Sequence, residues 1–458
     1  MSEFRRRQLL SALTAGGATL LAGCGSDASD GTPDDSDDES DDENGSAESN
    51  AAVATAVVEA LAAGRFTDVA DDVDDPTGTI DAGVLEHVWM GFEAAGGSFE
   101  EVVETTEGVE AGTEYVDVTM AFERGEDVLQ IVVSPDGAAG GLAFNGTYET
   151  PDYVDQDAFS ERAVTVEANG CDLDGLVTIP DGDGQVPGVV VVHGTGPADM
   201  NLENVATQAY RDLAEGLATQ EIATLRYNKR TATCETPPEA QTLDHVTVDD
   251  ALVAIERLRE VEEVDADRIV ICGHSQGGLA APRIGDRDGR IAGIVGLATP
   301  ARPFHELLSD QLHHLATTGE YEPESVVAQY EIFEDEYDRL AGGEFDPEAT
   351  ILEIPEAKLA SIAEYDPIET ANALDVPIAL FQGERDYQVS VEDDLDRWRD
   401  DLATDAPTRF ETYSACNHFM MPGSGPSVQF EYAARNNVEE AVVTDLAAWV
   451  KDRSPVEQ

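Results

Sequence analysis

The stretch "RIVICGHSQGGLA", residues 268–280, runs from β-formers into a serine set between glycines and then into small residues. Its apolar first half suits a strand buried on both faces of a sheet. Ala280 and Ala281 let a following helix lie close to that sheet. A plain strand-to-helix turn needs the small residues but has no use for a hydroxyl. Gly273-His274-Ser275-Gln276-Gly277 fits the pattern G-x-S-x-G. It follows a predicted strand and opens a predicted helix, which is the setting in which the pattern carries chemistry. Ser275 is therefore the candidate nucleophile. Gly273 and Gly277 are expected because a side chain at either position would collide with the strained serine turn.

Strands and helices alternate on both sides of this turn. "AVTVEA" and "LDGLVTIP" read as a hairpin, "VPGVVVVHG" as a fully buried strand, and "LENVATQAYRDLAEGLATQ" as a helix. "EIATLRYN" reads as a strand, and residues 247–250 have the form of a capping box ahead of another helix. "IAGIVGLA", "VPIALFQG" and "TRFETYSA" are further strands, and residues 438–450 make a closing amphipathic helix. Apolar strands alternating with helices imply a mostly parallel sheet with helices on both faces, whose ligands sit at the carboxyl ends of the strands.

A serine hydroxyl needs a base to take its proton, and the base needs an acid to hold its tautomer. Asp386 lies just past the strand "VPIALFQG", with Glu384 as the nearest rival for the acid. His418 lies just past the last strand. Asp393 and Asp394 are expected on a solvated helix. Oxyanion stabilisation requires two backbone donors. One is assigned to the Gln276 amide. The other is assigned to the Thr195 amide in the loop His193-Gly194-Thr195-Gly196-Pro197, with Gly194 as the neighbouring alternative. His193 reads as a loop fastener.

In chain order these pieces, "HGTGP", "GHSQGG", "GERD" and "NHF", resemble the α/β hydrolase superfamily. The similarity is to its serine esterase and acyl-hydrolase branch, related to dienelactone hydrolases and prolyl oligopeptidases. It implies an α/β hydrolase fold over residues 158–455 and cleavage of a small-molecule ester through a Ser275, His418, Asp386 triad, with no cofactor and no metal. Two departures stand out. Dienelactone hydrolases use cysteine where this chain has Ser275, and "RYNKR" places Asn228 where an aspartate is expected. The alternatives are a peptidase of the related branch or a catalytically silent binding lipoprotein. Helical segments across residues 304–366 read as a cap over the strand ends; His313 and His314 are adjacent on one of them and read as structural.

Residues 51–150 form a small α+β unit of helices followed by a strand meander, similar to the NTF2-like domain that precedes some secreted hydrolases. His87 reads there as a packing or surface residue. Residues 1–23 resemble a twin-arginine signal with a lipobox, which implies that Cys24 is lipid-modified and anchors the chain to the outer face of the cytoplasmic membrane. The Ser/Asp-rich linker 24–50 has nothing to bury and should extend by self-repulsion.

The 458-residue chain carries 95 acidic and 26 basic residues, a net charge of −69, and only three lysines, Lys229, Lys358 and Lys451. Such a surface repels itself unless salt screens it, and at about 1 M salt the Debye length is roughly 3 Å. The composition is that of a protein suited to extreme salt, and it excludes nucleic acid as a partner. Of the five cysteines, Cys272 falls within a core strand. Cys171, Cys234 and Cys416 allow one disulfide, with Cys234 and Cys416 both near the predicted active face, or free thiols.

Overall fold

Val189, Val190, Val191 and Val192 are each at most 1% exposed, so this strand contributes apolar side chains to both faces of its sheet. The protein is described by a computed structural model covering residues 49–453, apart from 74–79, 111, 135–136, 320–327, 329–330, 334–335, 338, 341 and 353. The signal, Cys24 and almost all of the acidic linker lie outside the described residues, as does part of the middle cap segment.

The chain opens with helices α1 (Asn50–Ala62), α2 (Phe66–Asp72) and α3 (Ala82–Gly96), followed by an antiparallel meander of β1 (Phe99–Glu110), β2 (Thr113–Phe122), β3 (Gly125–Val133) and β4 (Ala139–Phe144). Every second residue of β2 and β3 is buried, which points one face of the meander at the helices. Trp89, Phe92, Phe99, Phe122 and Phe144 fill the space between. The sequence pattern gives no sign of β1. Its one long edge presents glutamates to solvent and its burial lacks a period of two.

The second sheet contains β5 (Phe159–Ala168), β6 (Cys171–Pro180), β7 (Val186–Val192), β8 (Ala223–Tyr227), β9 (Val264–His274), β10 (Gly293–Leu297), β11 (Ile378–Gly383) and β12 (Thr408–Tyr413). Their order is β12-β11-β10-β9-β7-β8-β6-β5. β5 pairs antiparallel with β6, and β6 antiparallel with β8, while β8, β7, β9, β10, β11 and β12 run parallel. Alternate residues feed two cores: Val190, Val192, Ile269 and Ile271 point to one, and Val189, Val191, Val270 and Cys272 to the other. Helices α4 (Ala209–Thr219), α5 (Asp249–Arg259), α6 (Gln276–Asp288) and a C-terminal helix, Glu440–Lys451, cover the faces. This is the expected α/β hydrolase fold. The cap contributes α7 (Phe304–Thr317) and α8 (Glu356–Ala363), whose apolar sides meet around Leu308, Leu312, Phe333 and Leu359.

Two local expectations are corrected, and a cysteine pairing that the sequence leaves open is resolved. The helix predicted from residue 202 begins at Ala209, because Glu203–Asn204 and Thr207–Gln208 form a small hairpin with Leu202 and Val205 at positive φ. No capping box precedes α5; a π-turn, Asp244–Val248, runs into it without a side-chain cap. The disulfide joins Cys171 to Cys234, not Cys234 to Cys416, and Cys416 is a buried free thiol. Cys171 starts β6 and Cys234 follows the turn after β8, and these two strands are sheet neighbours, whereas Cys416 lies beyond the opposite edge strand.

Candidate active site

Ser275 sits at the carboxyl end of β9 with φ 53°, in the left-handed region that costs a non-glycine residue free energy. The strain is held because its neighbours leave no room for another path. A Cβ on Gly273 would lie 2.3 Å from the Gly277 carbonyl oxygen, and one on Gly277 would lie 2.2 Å from that of Val192. The two glycines are thus required as the sequence implies, though the collisions are with each other's turn and with β7 rather than with Ser275 itself.

Asp386 and His418 meet. His418 Nδ1 lies 2.8 Å from Asp386 Oδ2, and both side chains are at most 1% exposed. Asp386 also accepts from Gln382 Nε2 at 2.9 Å and from the Gln388 and Val389 amides at 2.8 and 3.0 Å. A carboxylate oxygen can only accept here, so Nδ1 of His418 carries the proton and Nε2 is left as an acceptor. Nε2 is buried and has no partner among the described residues. Buried polar atoms are normally satisfied, so an idle acceptor calls for a role. Glu384 is exposed and turns away to Thr412 Oγ1 at 2.9 Å, which removes it as the acid.

The elbow is tied to the histidine loop through His274. Tyr210 Oη accepts from the Gly194 amide at 3.2 Å and lies 3.1 Å from His274 Nδ1. His274 Nε2 lies 3.0 Å from the His418 carbonyl. Only one proton arrangement fits: the Tyr210 hydroxyl donates to Nδ1, and Nε2–H donates to the carbonyl. Burial, followed by the neighbouring His418, holds His274 well below the ordinary histidine range, which keeps it in this neutral form.

Because the Gly194 N–H is engaged with Tyr210, it is unavailable as an oxyanion donor, and the choice narrows to Thr195. The amides of Thr195 and Gln276 make no protein hydrogen bond among the described residues. Their side chains are clipped together, with Thr195 Oγ1 donating to Gln276 Oε1 at 3.0 Å and Gln276 Nε2 donating to Thr247 Oγ1 at 3.0 Å. Thr195, Ser275 and Gln276 line one pocket with the apolar side chains of Leu279, Phe304 and Ile362. The cap supplies Phe304 and Ile362.

Sequence reasoning missed Glu431. It is 1% exposed and accepts from Arg385 Nη2 at 2.7 Å, from Asn417 Nδ2 at 2.8 Å and from the Ser427 hydroxyl. Arg385 precedes Asp386 and Asn417 precedes His418, so one carboxylate braces the neighbours of both. The same segment is packed by the N-terminal layer. Phe430 stacks on Phe144 with ring centroids 6.0 Å apart, and the Ser424 amide donates to the Ala94 carbonyl at 3.0 Å. No local sequence signal marks Glu431 among 95 acidic residues.

Asp394 is not solvated: it is 0% exposed and accepts from the Ala301 and Arg302 amides and the Arg302 guanidinium, because the π-turn Val391–Leu395 faces inward. His193 fastens its loop through the Asp199 carbonyl at 3.3 Å, and burial with the Lys229 charge pushes its pKa down to about 3. His87 is buried against the Thr318 carbonyl at 2.8 Å. His314 stacks on Tyr387 and bonds the Ser427 carbonyl at 2.7 Å, while His313 is exposed. Among the described residues no cluster of His, Cys, Asp or Glu could hold a metal ion, and no helix is long and apolar enough to cross a membrane.

A serine on a positive-φ turn after a central parallel strand, with an aspartate and a histidine paired past later strands, has the layout of the α/β hydrolases. The chain matches the "Alpha/beta hydrolase family" over residues 189–431. It is 33% identical over 370 residues to Esterase EstD of Thermotoga maritima, a match spanning 80% of this chain and 86% of that protein. Among solved structures, it is similar to Est1E from Butyrivibrio proteoclasticus (15% identity, TM-score 0.43), over 64% of this chain and 99% of that one. It is also similar to an acylaminoacyl peptidase of Pyrococcus horikoshii (13% identity, TM-score 0.46), over 79% of this chain and 57% of that one. The chain belongs to the α/β hydrolase family and is a hydrolytic enzyme.

Proposed function

We propose that the protein hydrolyses small carboxylic esters through an acyl-enzyme intermediate. The observation that carries the reading is the buried Nε2 of His418, without a partner among the described residues, on a ring that Asp386 holds at 2.8 Å, in a chain whose elbow sets Ser275 at a strand's carboxyl end. In this reading Ser275 Oγ attacks the ester carbonyl carbon while His418 Nε2 takes its proton. The carbonyl oxygen becomes an oxyanion facing the Thr195 and Gln276 amides. Collapse expels the alcohol with the proton from His418, and a water activated in the same way releases the acid. Asp386 stabilises the imidazolium in both halves. The likeness to Esterase EstD favours an ester substrate, and the apolar cap residues Phe304 and Ile362 suit an acyl or alcohol group of modest size.

The twin-arginine pattern and the lipobox at Cys24 support export and anchoring outside the cytoplasmic membrane, and a disulfide between Cys171 and Cys234 suits an oxidising compartment. The net charge of −69 supports a working medium of high salt.

The test is hydrolysis of p-nitrophenyl esters of increasing chain length in multimolar KCl, comparing the chain without its signal with Ser275→Ala. Wild-type turnover with S275A at the uncatalysed rate is expected. Comparable turnover by both would sink the serine mechanism.

A further inference from the structure

The stretch "RYNKR" and the residue after it, Arg226 to Thr231, have no part in the chemistry so far. They end β8, the strand beside β7, and β7 leads directly into the oxyanion loop. They grip that loop at four points. Asn228 Oδ1 accepts from the Met200 amide at 2.8 Å, and the Lys229 amide donates to the Ala198 carbonyl at 2.9 Å. Thr231 Oγ1 reaches the Gly196 carbonyl at 3.5 Å, and Lys229 Nζ donates to the Gly194 carbonyl. Asn228, where an aspartate was expected, is thus a loop anchor whose amide oxygen serves as acceptor.

The contact to Gly194 matters most. Lys229 is 3% exposed, so its amine is committed to the protein rather than to solvent. The Gly194 C=O and the Thr195 N–H are two ends of one planar peptide unit, and the chain contains no cis peptide among the described residues. In a trans peptide these ends point in opposite directions, so fixing the oxygen aims the N–H. A donor on the oxygen also polarises the unit and strengthens its N–H as a donor. The preceding peptide is pinned as well, through the Gly194 N–H and Tyr210 Oη.

We propose that Lys229 is the positioning residue of the oxyanion site: by holding the Gly194 carbonyl, it aims the Thr195 amide at the developing negative charge. This rests on the serine mechanism given under the proposed function. Lys229 reaches the reaction only through the peptide, and its effect belongs to the transition state rather than to substrate binding.

The experiment measures kcat and KM on the preferred p-nitrophenyl ester for Lys229→Met and Lys229→Arg, with S275A alongside, and the affinity of an aliphatic trifluoromethyl ketone. Such a ketone takes up the serine oxygen and presents an oxyanion in the same place. For K229M, kcat is expected to fall roughly 10- to 100-fold, toward the loss seen when an oxyanion donor is deleted, with KM nearly unchanged. Ketone affinity should weaken by the same factor as kcat/KM. K229R, which keeps an N–H donor, should recover part of the loss, and it carries the test should K229M fail to fold. A loss confined to KM, or ketone affinity that does not follow kcat/KM, overturns the proposal. An inactive S275A with a fully active K229M overturns this inference alone. An active S275A overturns the serine mechanism beneath it.

Discussion

The His418 loop and the Thr195 loop both follow the carboxyl ends of sheet strands, yet they are held by different means. On the base side, Glu431 and Arg385 form a buried ion pair that braces the residues next to Asp386 and His418, and the N-terminal layer packs against that segment through Phe144 and Ala94. On the oxyanion side, a backbone loop is held by the side chains of Tyr210, Asn228 and Lys229 and by nothing from the N-terminal layer among the described contacts. Paired charges are strong when complete and costly when one partner is removed. Neutral bonds to backbone fail more gently. The two sides of the site should therefore break with different severity.

The largest effect is expected at Glu431. Glu431→Ala leaves Arg385, 10% exposed at its side chain, without a counter-charge and frees Asn417 beside His418. Stability should drop by about 3–5 kcal/mol, as for other broken buried pairs. The readout is urea unfolding at fixed high salt, paired with kcat. If stability falls while kcat on the residual folded enzyme is unchanged, Glu431 braces the fold but not the base.

Next comes Lys358, on the cap helix α8 and close enough for its charge to bear on Lys229. Burial holds its pKa at about 8, against an ordinary 10.5. The folded state therefore disfavours the ammonium. The cost is present in full below about pH 8 and fades as pH rises toward 10.5, where the unfolded chain also loses its proton. Wild-type stability from this group should rise with pH over that window. Lys358→Met removes the charge, so at pH 7 the variant should be more stable by about 3 kcal/mol and should lose that part of the alkaline rise. Thermal melts at pH 7 and pH 10 decide it. Equal gains at both would assign the effect to packing.

What could be seen in the sequence divides along a physical line. Ser275, Gly273 and Gly277 were legible because the elbow's constraints lie within five residues of chain. Asp386 and His418 were legible because the sheet places each residue past a strand end, and strands such as 189–192 announce themselves by unbroken valine. Local patterns failed where tertiary contacts decide. The helical composition of residues 202–208 yields to a hairpin, and Asp394 reads as a solvated acid until the fold turns it onto Arg302. Glu431 and Lys229 were hidden because their telling contacts are distant in sequence, Arg385 lying 46 positions from Glu431 and Gly194 35 positions from Lys229, and abundant carboxylates conceal the few, such as Glu431, that are buried.

The smallest effect should come from Tyr210, and it separates the two grips on Gly194. Tyr210→Phe deletes one hydroxyl that accepts from the Gly194 amide and donates to His274 Nδ1, with little change of shape. The ring contacts to His193 and His274 stay in place. Of the two neutral hydrogen bonds lost, the one to the Gly194 amide is worth about 1 kcal/mol, or roughly fivefold in kcat if it acts on the transition state. KM should hold. A fivefold loss that is independent of the loss in K229M, so that the double variant multiplies the two, would mean that the flanking peptides are aimed separately. A double variant no worse than K229M alone would mean that the lysine sets the loop and the tyrosine only follows it. Should Y210F match the wild type in kcat, the clasp from β8 is sufficient, and the Tyr210–His274 chain serves the histidine loop instead.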